Sequence, residues 1–222
     1  MYTTTRIVFP APRQATLEEV PLAAPGKGQV LIRTHHSLIS TGTELTAYSG
    51  DFPPDSVWAR YVRYPWPAGY ANVGEVLVCG PEVDKVQPGQ WVVSYGPHAT
   101  LIVQGVDWVW PLPAGVSEEQ APFMVLSTIA LAGVRLSQIA FGEAIVVMGA
   151  GLVGLLAAQY ARLSGGWPVI SIDLAESRLA LARAHGATHT LTGRRPELIK
   201  EIEDRQQQQQ GGGGGSGSIQ SS

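Results

Sequence analysis

Residues 145–159 read IVVMGAGLVGLLAAQ. Ile145, Val146, Val147 and Met148 form a short apolar run of the kind that builds a buried strand. Gly149, Gly151 and Gly154 follow in the spacing G-x-G-x-x-G, and from Leu152 the pattern turns helical. Three spaced glycines alone carry little information. Here a strand precedes them, a helix follows, and Asp173 closes the next apolar strand nineteen residues past Gly154.

Each of those positions has a physical reason. Gly149 permits a tight turn, Gly151 lets the main chain approach a diphosphate, and Gly154 lets the helix pack close to the strand. The helix N-terminus at Leu152 and Val153 presents unpaired N–H groups and a partial positive charge to an anion. Asp173 can accept hydrogen bonds from both ribose hydroxyls and would repel a 2′-phosphate. The pattern is therefore a dinucleotide cradle that favours NAD over NADP, with Arg178 acting in the opposite sense. The competing reading is an ordinary strand-to-helix turn, and Asp173 argues against it.

Working outward, the same alternation continues. The spacing predicts a strand over 144–148, a helix over 152–164, a strand over 168–172 and a helix over 176–185. A short strand near 188–191 and a weak helix over 195–204 complete the series. Strands interleaved with helices at this spacing mean right-handed βαβ units and a parallel sheet. Upstream, Ser117 and Gln120 make a capping box that predicts the start of an apolar helix running to about 138.

Residues 1–116 read differently. QVLIRTHHSLIS, GEVLVCG, QWVVSYG, ATLIVQG and DWVWPLP are short β-branched and aromatic runs punctuated by Gly and Pro. They predict a small β barrel or sandwich, with Trp91, Trp108 and Trp110 filling its core. The expected organisation is a β-rich domain over 1–116, a partial α/β domain over 117–205 and a disordered Gln/Gly/Ser tail over 206–222.

Composition narrows the classes. The chain has 222 residues, 45% of them apolar and 15% charged, with a net charge of −3 and a pI near 5.9. No basic surface is available for nucleic acid or anionic lipid. Cys79 is the single cysteine, which excludes a disulfide framework and a four-thiolate zinc site. The apolar run over 121–134 is too short to span a bilayer, and the first residues do not read as a secretory signal. A cytoplasmic protein is expected.

A strand-rich first domain, a helix and then this glycine turn resemble the medium-chain dehydrogenase/reductase family. GEAIVVMGAGLVGLLAAQYARLSGG and VISIDLAESRLALARAHGATHTL look like its cofactor half, and GYANVGEVLVCGPEVDKVQPGQWVVSYGPHA like the core of its first domain. The resemblance covers roughly residues 5–205. It implies a GroES-like catalytic domain joined to a Rossmann domain, and hydride transfer between a nicotinamide cofactor and a small alcohol or carbonyl. SLISTGTELTAYSG, with GYANVGEV and GPHA, is similar to a zinc-poor branch that includes bacteriochlorophyllide dehydrogenase.

Zinc-dependent members carry Cys-Gly-Thr-Asp and Gly-His-Glu motifs. The matching places here hold Thr41 and Tyr70, and the relay histidine is matched by Thr46. Neutral hydroxyls are poor zinc ligands, so no metal site is expected. Without a metal, an alkoxide must be stabilised by hydrogen-bond donors. Thr43 holds the place of the family's relay hydroxyl. Glu44, Tyr70 and His98 are the other catalytic candidates, each of which has an ordinary structural role as its alternative. His35 and His36 alternate along a strand, so that one is free to face a cleft.

A whole Rossmann sheet has six strands, and this chain supplies the first three. The resemblance thus implies an incomplete chain with little turnover of its own. It also implies an apolar sheet edge along Ile145–Val147, open to self-association. Two readings compete with the NAD-linked enzyme: a nucleotide-binding module or inactive product without catalysis, and a quinone-reductase-like enzyme that uses NADPH.

Overall fold

The structure is a computed structural model that describes residues 1–193. It divides into two compact units, one over Met1–Leu126 and one from Ser127 onward. The expected helix over 195–204 and the tail lie outside the described residues.

The paired strands of the first unit are all antiparallel. β1 (Tyr2–Phe9) pairs with β2 (Thr16–Leu22) in the register Tyr2↔Leu22 to Val8↔Thr16, and its other edge meets β4 (Trp66–Pro67). A five-stranded sheet is built from β3 (Gln29–Ser37), β5 (Asn72–Cys79), β6 (Trp91–Ser94), β7 (Leu101–Gly105) and β8 (Val109–Pro111). Its strand order is β7-β3-β5-β6-β8. Val30, Ile32, Val76, Val92, Ile102 and Val109 meet in one buried cluster. Val30 and Ile32 lie two apart, as residues on one face of a strand must.

Two helices interrupt the sheet: α1 (Thr41–Ser49) and α2 (Val57–Tyr61). Thr41, Gly42 and Thr43 are weak helix formers, and the sequence predicted no helix here. Its ends explain the helix. Ser40 is extended at the N-cap, and Gly50 takes the left-handed conformation at the C-cap with φ 70°, where its N–H closes on the Thr46 carbonyl. Ala47 then packs with Phe9, Trp66 and Ala68.

Two expectations need correction. The reciprocal Ser117–Gln120 hydrogen bonds form, both at 3.3 Å, but they close a turn, and α3 spans Phe123–Leu136. Pro122 lacks the N–H that a continuous helix requires and crowds the residue before it. Trp108 is not core filling. It sits in a 3₁₀ turn over Val106–Trp108, is 56% exposed, and lays its ring edge-on to Tyr95.

The second unit carries β9 (Ile145–Met148), α4 (Leu152–Leu163), β10 (Val169–Asp173), α5 (Glu176–Ala184) and β11 (His189–Thr192). All its pairings are parallel, in the order β11-β10-β9. That is the order of the first half of a Rossmann sheet. Ala158 and Ala161 of α4 pack on Val169, while Leu179 and Ala182 of α5 pack around Ala150 and Leu155. Among the described residues β9 pairs only with β10, and Val146 and Met148 are exposed. No helix of the described residues is long and apolar enough to cross a membrane.

Replacing Ile32 with Ala removes a fully buried side chain. The substitution is expected to lower stability by about 2–5 kcal/mol in urea denaturation. Leu17→Ala, at an exposed position of β2, should stay within about 0.5 kcal/mol.

Candidate functional site

The turn between β9 and α4 is held from several sides. The Gly149 N–H donates to the Ile172 carbonyl at 2.7 Å, and Gly149 has φ 94°, a left-handed conformation that favours glycine. A Cβ added at Gly154 would lie 1.8 Å from the Gly149 carbonyl oxygen. Helix and strand can therefore approach this closely only with glycine there. A Cβ added at Gly151 would meet nothing within 4 Å. The packing of the unit does not demand glycine at that position.

Among the described residues no side chain caps the start of helix α4, and its first return bond runs from Leu155 N–H to the Gly151 carbonyl. The Leu152 and Val153 amides precede that bond and have no acceptor in the helix. Asp173 sits across the turn. Its Oδ2 accepts the Ala150 N–H at 2.8 Å and its Oδ1 the Ala175 N–H at 2.8 Å. These bonds, that of Ala175 first and that of Ala150 second, hold its carboxyl below the usual carboxylate range. The Arg178 guanidinium, 3.7 Å from Oδ2, adds to the lowering, while partial burial opposes it. The carboxylate is charged and fixed. A cavity of about 850 Å³ opens beside it, lined by Gly149, Asp173, Ala175, Ser177 and Arg178 among others.

The first unit holds a second polar cluster, and it joins all four of the catalytic candidates. Glu44 lies on α1, Tyr70 between β4 and β5, and His98 between β6 and β7. Glu44 Oε2 is 2.8 Å from His98 Nε2, and Glu44 Oε1 accepts the Ser40 N–H at 2.7 Å. His98 Nδ1 is 2.8 Å from Ser37 Oγ. The Tyr70 hydroxyl donates to Ser40 Oγ and lies 3.3 Å from Thr43 Oγ1. Glu44 and His98 are 3% and 6% exposed. Burial raises the Tyr61 phenol above its ordinary range, and the fields of Tyr70 and Glu44 reinforce it. Tyr61 thus stands near the cluster.

Ser37 and Ser40 were missed in the sequence. Ser40 had a signal, as a hydroxyl residue immediately before a helix. Ser37 had none, since its partner lies sixty-one residues away. The paired histidines go elsewhere: His35 packs on Trp91, with ring centroids 4.4 Å apart, and His36 lies 3.7 Å from Glu118. Thr46 returns its hydroxyl to the Gly42 carbonyl.

Comparison with known proteins bears on the fold. The chain is 29% identical over 217 residues to a D-guloside 3-dehydrogenase of Escherichia coli (strain K12), covering 89% of this chain and 62% of that protein. It is 28% identical over 221 residues to an L-threonine 3-dehydrogenase of Pyrococcus furiosus, covering 86% of this chain and 62% of the relative. Among solved structures, an alcohol dehydrogenase from Thermus sp. ATN1 superposes with a TM-score of 0.76 at 25% identity, covering 91% of this chain and 67% of that one. No protein-family model matches. The chain is similar to named dehydrogenases and shares the fold of solved ones, in which a GroES-like domain is joined to a Rossmann domain. It spans about 62% of the length of these two curated relatives.

The Asp173 carboxyl has a lower pKa folded than unfolded. Its contribution to stability is therefore complete above the unfolded value and is lost as pH falls through the folded one. Asp173→Asn should show a shallower fall of unfolding midpoint in acid than the wild type, measured by thermal denaturation across a pH series. Parallel curves would remove the role assigned to those two amides.

Proposed function

We propose that this chain serves an NAD-linked oxidoreductase that exchanges a hydride between nicotinamide and a small alcohol or carbonyl, without zinc. The observation that carries the reading is the Gly149–Gly154 turn clasped by Asp173. Amides at the start of α4 have no acceptor in the helix and suit a diphosphate, and a fixed carboxylate lines a cavity where a ribose would be gripped. The residues fit the cofactor. Gly149, Gly151, Leu152, Val153 and Gly154 would hold the diphosphate, and Asp173 the adenosine ribose, with Arg178 flanking it. When bound, the nicotinamide supplies the hydride donor or acceptor.

Asp173 decides between the two forms of the cofactor. A 2′-phosphate would meet a carboxylate already held charged by two backbone amides. Arg178, which would favour that phosphate, is largely exposed and already paired with Asp173. Repulsion from the fixed charge outweighs attraction to the solvated one, and NAD is favoured.

Zinc does not fit the second cluster. Thr41 offers an exposed neutral hydroxyl. The Tyr70 hydroxyl is engaged by Ser40 and Thr43, and both Glu44 oxygens are engaged by Ser40 and His98. A zinc ion seeks thiolate, imidazole or a free carboxylate. In this reading Tyr70 and Thr43 stabilise the substrate oxygen through hydrogen bonds. Glu44 and His98 lie behind them.

Calorimetric titration tests the cofactor half. NAD should bind more tightly than NADP, and Asp173→Asn should narrow the difference. Tighter binding of NADP by the wild type would refute the preference. Tyr70→Phe should lower turnover on an alcohol and carbonyl panel by about 10²–10⁴-fold, and a chelator should leave turnover unchanged. Loss of activity on chelation would restore zinc to the mechanism.

A further inference from the structure

We propose that Glu44 and His98 are positioning residues, a buried pair that sets the direction of the Tyr70 hydroxyl by holding both ends of the segment that carries it. The contacts close on themselves. Tyr70 donates to Ser40 Oγ, the Ser40 N–H donates to Glu44, and Glu44 meets His98. The His98 N–H then donates to the Ala68 carbonyl at 2.8 Å, two residues before Tyr70. His98 therefore braces the main chain before Tyr70 with its backbone amide and, with its imidazole through a carboxylate and a serine, the acceptor of the Tyr70 hydroxyl.

Three further observations support the ring. A Cβ added at Gly69, where φ is 91°, would lie 2.5 Å from His98 N, 2.6 Å from Cγ and 2.8 Å from Cδ2. The residue next to Tyr70 must be glycine for the imidazole to lie where it does. The Leu38 N–H donates to the Ala71 carbonyl at 2.9 Å, which ties the Ser37–Ser40 segment to the other side of Tyr70. His98 is itself held from outside the ring, by Ser37 Oγ on Nδ1 and by the Ile7 N–H on its carbonyl.

Packing alone gives no reason for this arrangement. A carboxylate and an imidazole taken out of water bear a desolvation penalty that an apolar pair of the same volume avoids. What the polar pair adds is direction. Each bond of the ring fixes an angle as well as a distance, and the ring ends at the half-buried hydroxyls of Tyr70 and Thr43. A neutral imidazole satisfies it with Nε2–H donating to Glu44 and Nδ1 accepting from Ser37.

The purpose of this direction rests on the oxidoreductase reading, but the test separates the two. The full chain is labelled with 3-fluorotyrosine, and the Tyr70 fluorine signal is assigned by its loss in Tyr70→Phe. With no substrate present, His98→Leu should shift and broaden the Tyr70 signal and leave that of Tyr2 in place. His98→Gln, whose amide can still donate to Glu44, should restore most of it. On substrate, His98→Leu should lower kcat by about 10²-fold with KM little changed, as a misaimed group does. An unmoved Tyr70 signal in folded His98→Leu overturns the proposal. If that variant does not fold, Ser37→Ala replaces it, with a smaller shift expected and an unmoved signal again decisive against. Wild-type turnover by Tyr70→Phe would instead overturn the catalytic reading of Tyr70 and leave the fluorine result standing.

Discussion

Asp173 accepting two backbone amides is the contact around which the second unit is organised. One amide belongs to the turn after β9 and the other to the approach to α5. A single carboxylate thus joins the exit of one βα unit to the entrance of the next, at the C-terminal end of the parallel strands. Each N–H lowers the carboxyl's affinity for a proton. The same bonds that fix the loop keep the acid charged.

The first unit solves a different problem by similar means. Its sheet is held by apolar burial around Val30, Ile32 and Val76, and that core dictates no chemistry. The polar cluster sits outside it, where α1 enters after β3 and where two loops meet. Charged and neutral hydrogen-bonding groups satisfy one another there in sequence, leaving hydroxyls at the partly exposed end. A buried network in which each member has its partners adds rigidity. Such rigidity suits a group that must meet a reacting atom at a defined angle.

The βαβ half was the more legible in sequence. Strand, glycine turn, helix and acid all lie within about thirty residues, and local periodicity determines them. Boundaries moved by a residue or two, which is the fraying of any helix or strand end. The capping box at Ser117 was chemically right and structurally misleading, because Pro122 forbade the helix it announced. Helix α1 escaped notice since its residues are poor helix formers, and its stability comes from its two ends and from Ala47 against Phe9 and Trp66. Trp108 shows the limit of residue type as a guide to burial.

By itself the sequence determined the parallel unit, the glycine turn with Asp173 beside it, and the β-rich character of the first part of the chain. Each follows from spacing along the chain, where neighbours in sequence are neighbours in space. It also nominated Thr43, Glu44, Tyr70 and His98, one by one. Only the tertiary structure decided that these four form one cluster, that Ser37 and Ser40 complete it, and that Gly69 makes room for the imidazole. Those pairings join residues up to sixty-one positions apart, and no local pattern encodes which distant loops a folded sheet will bring together.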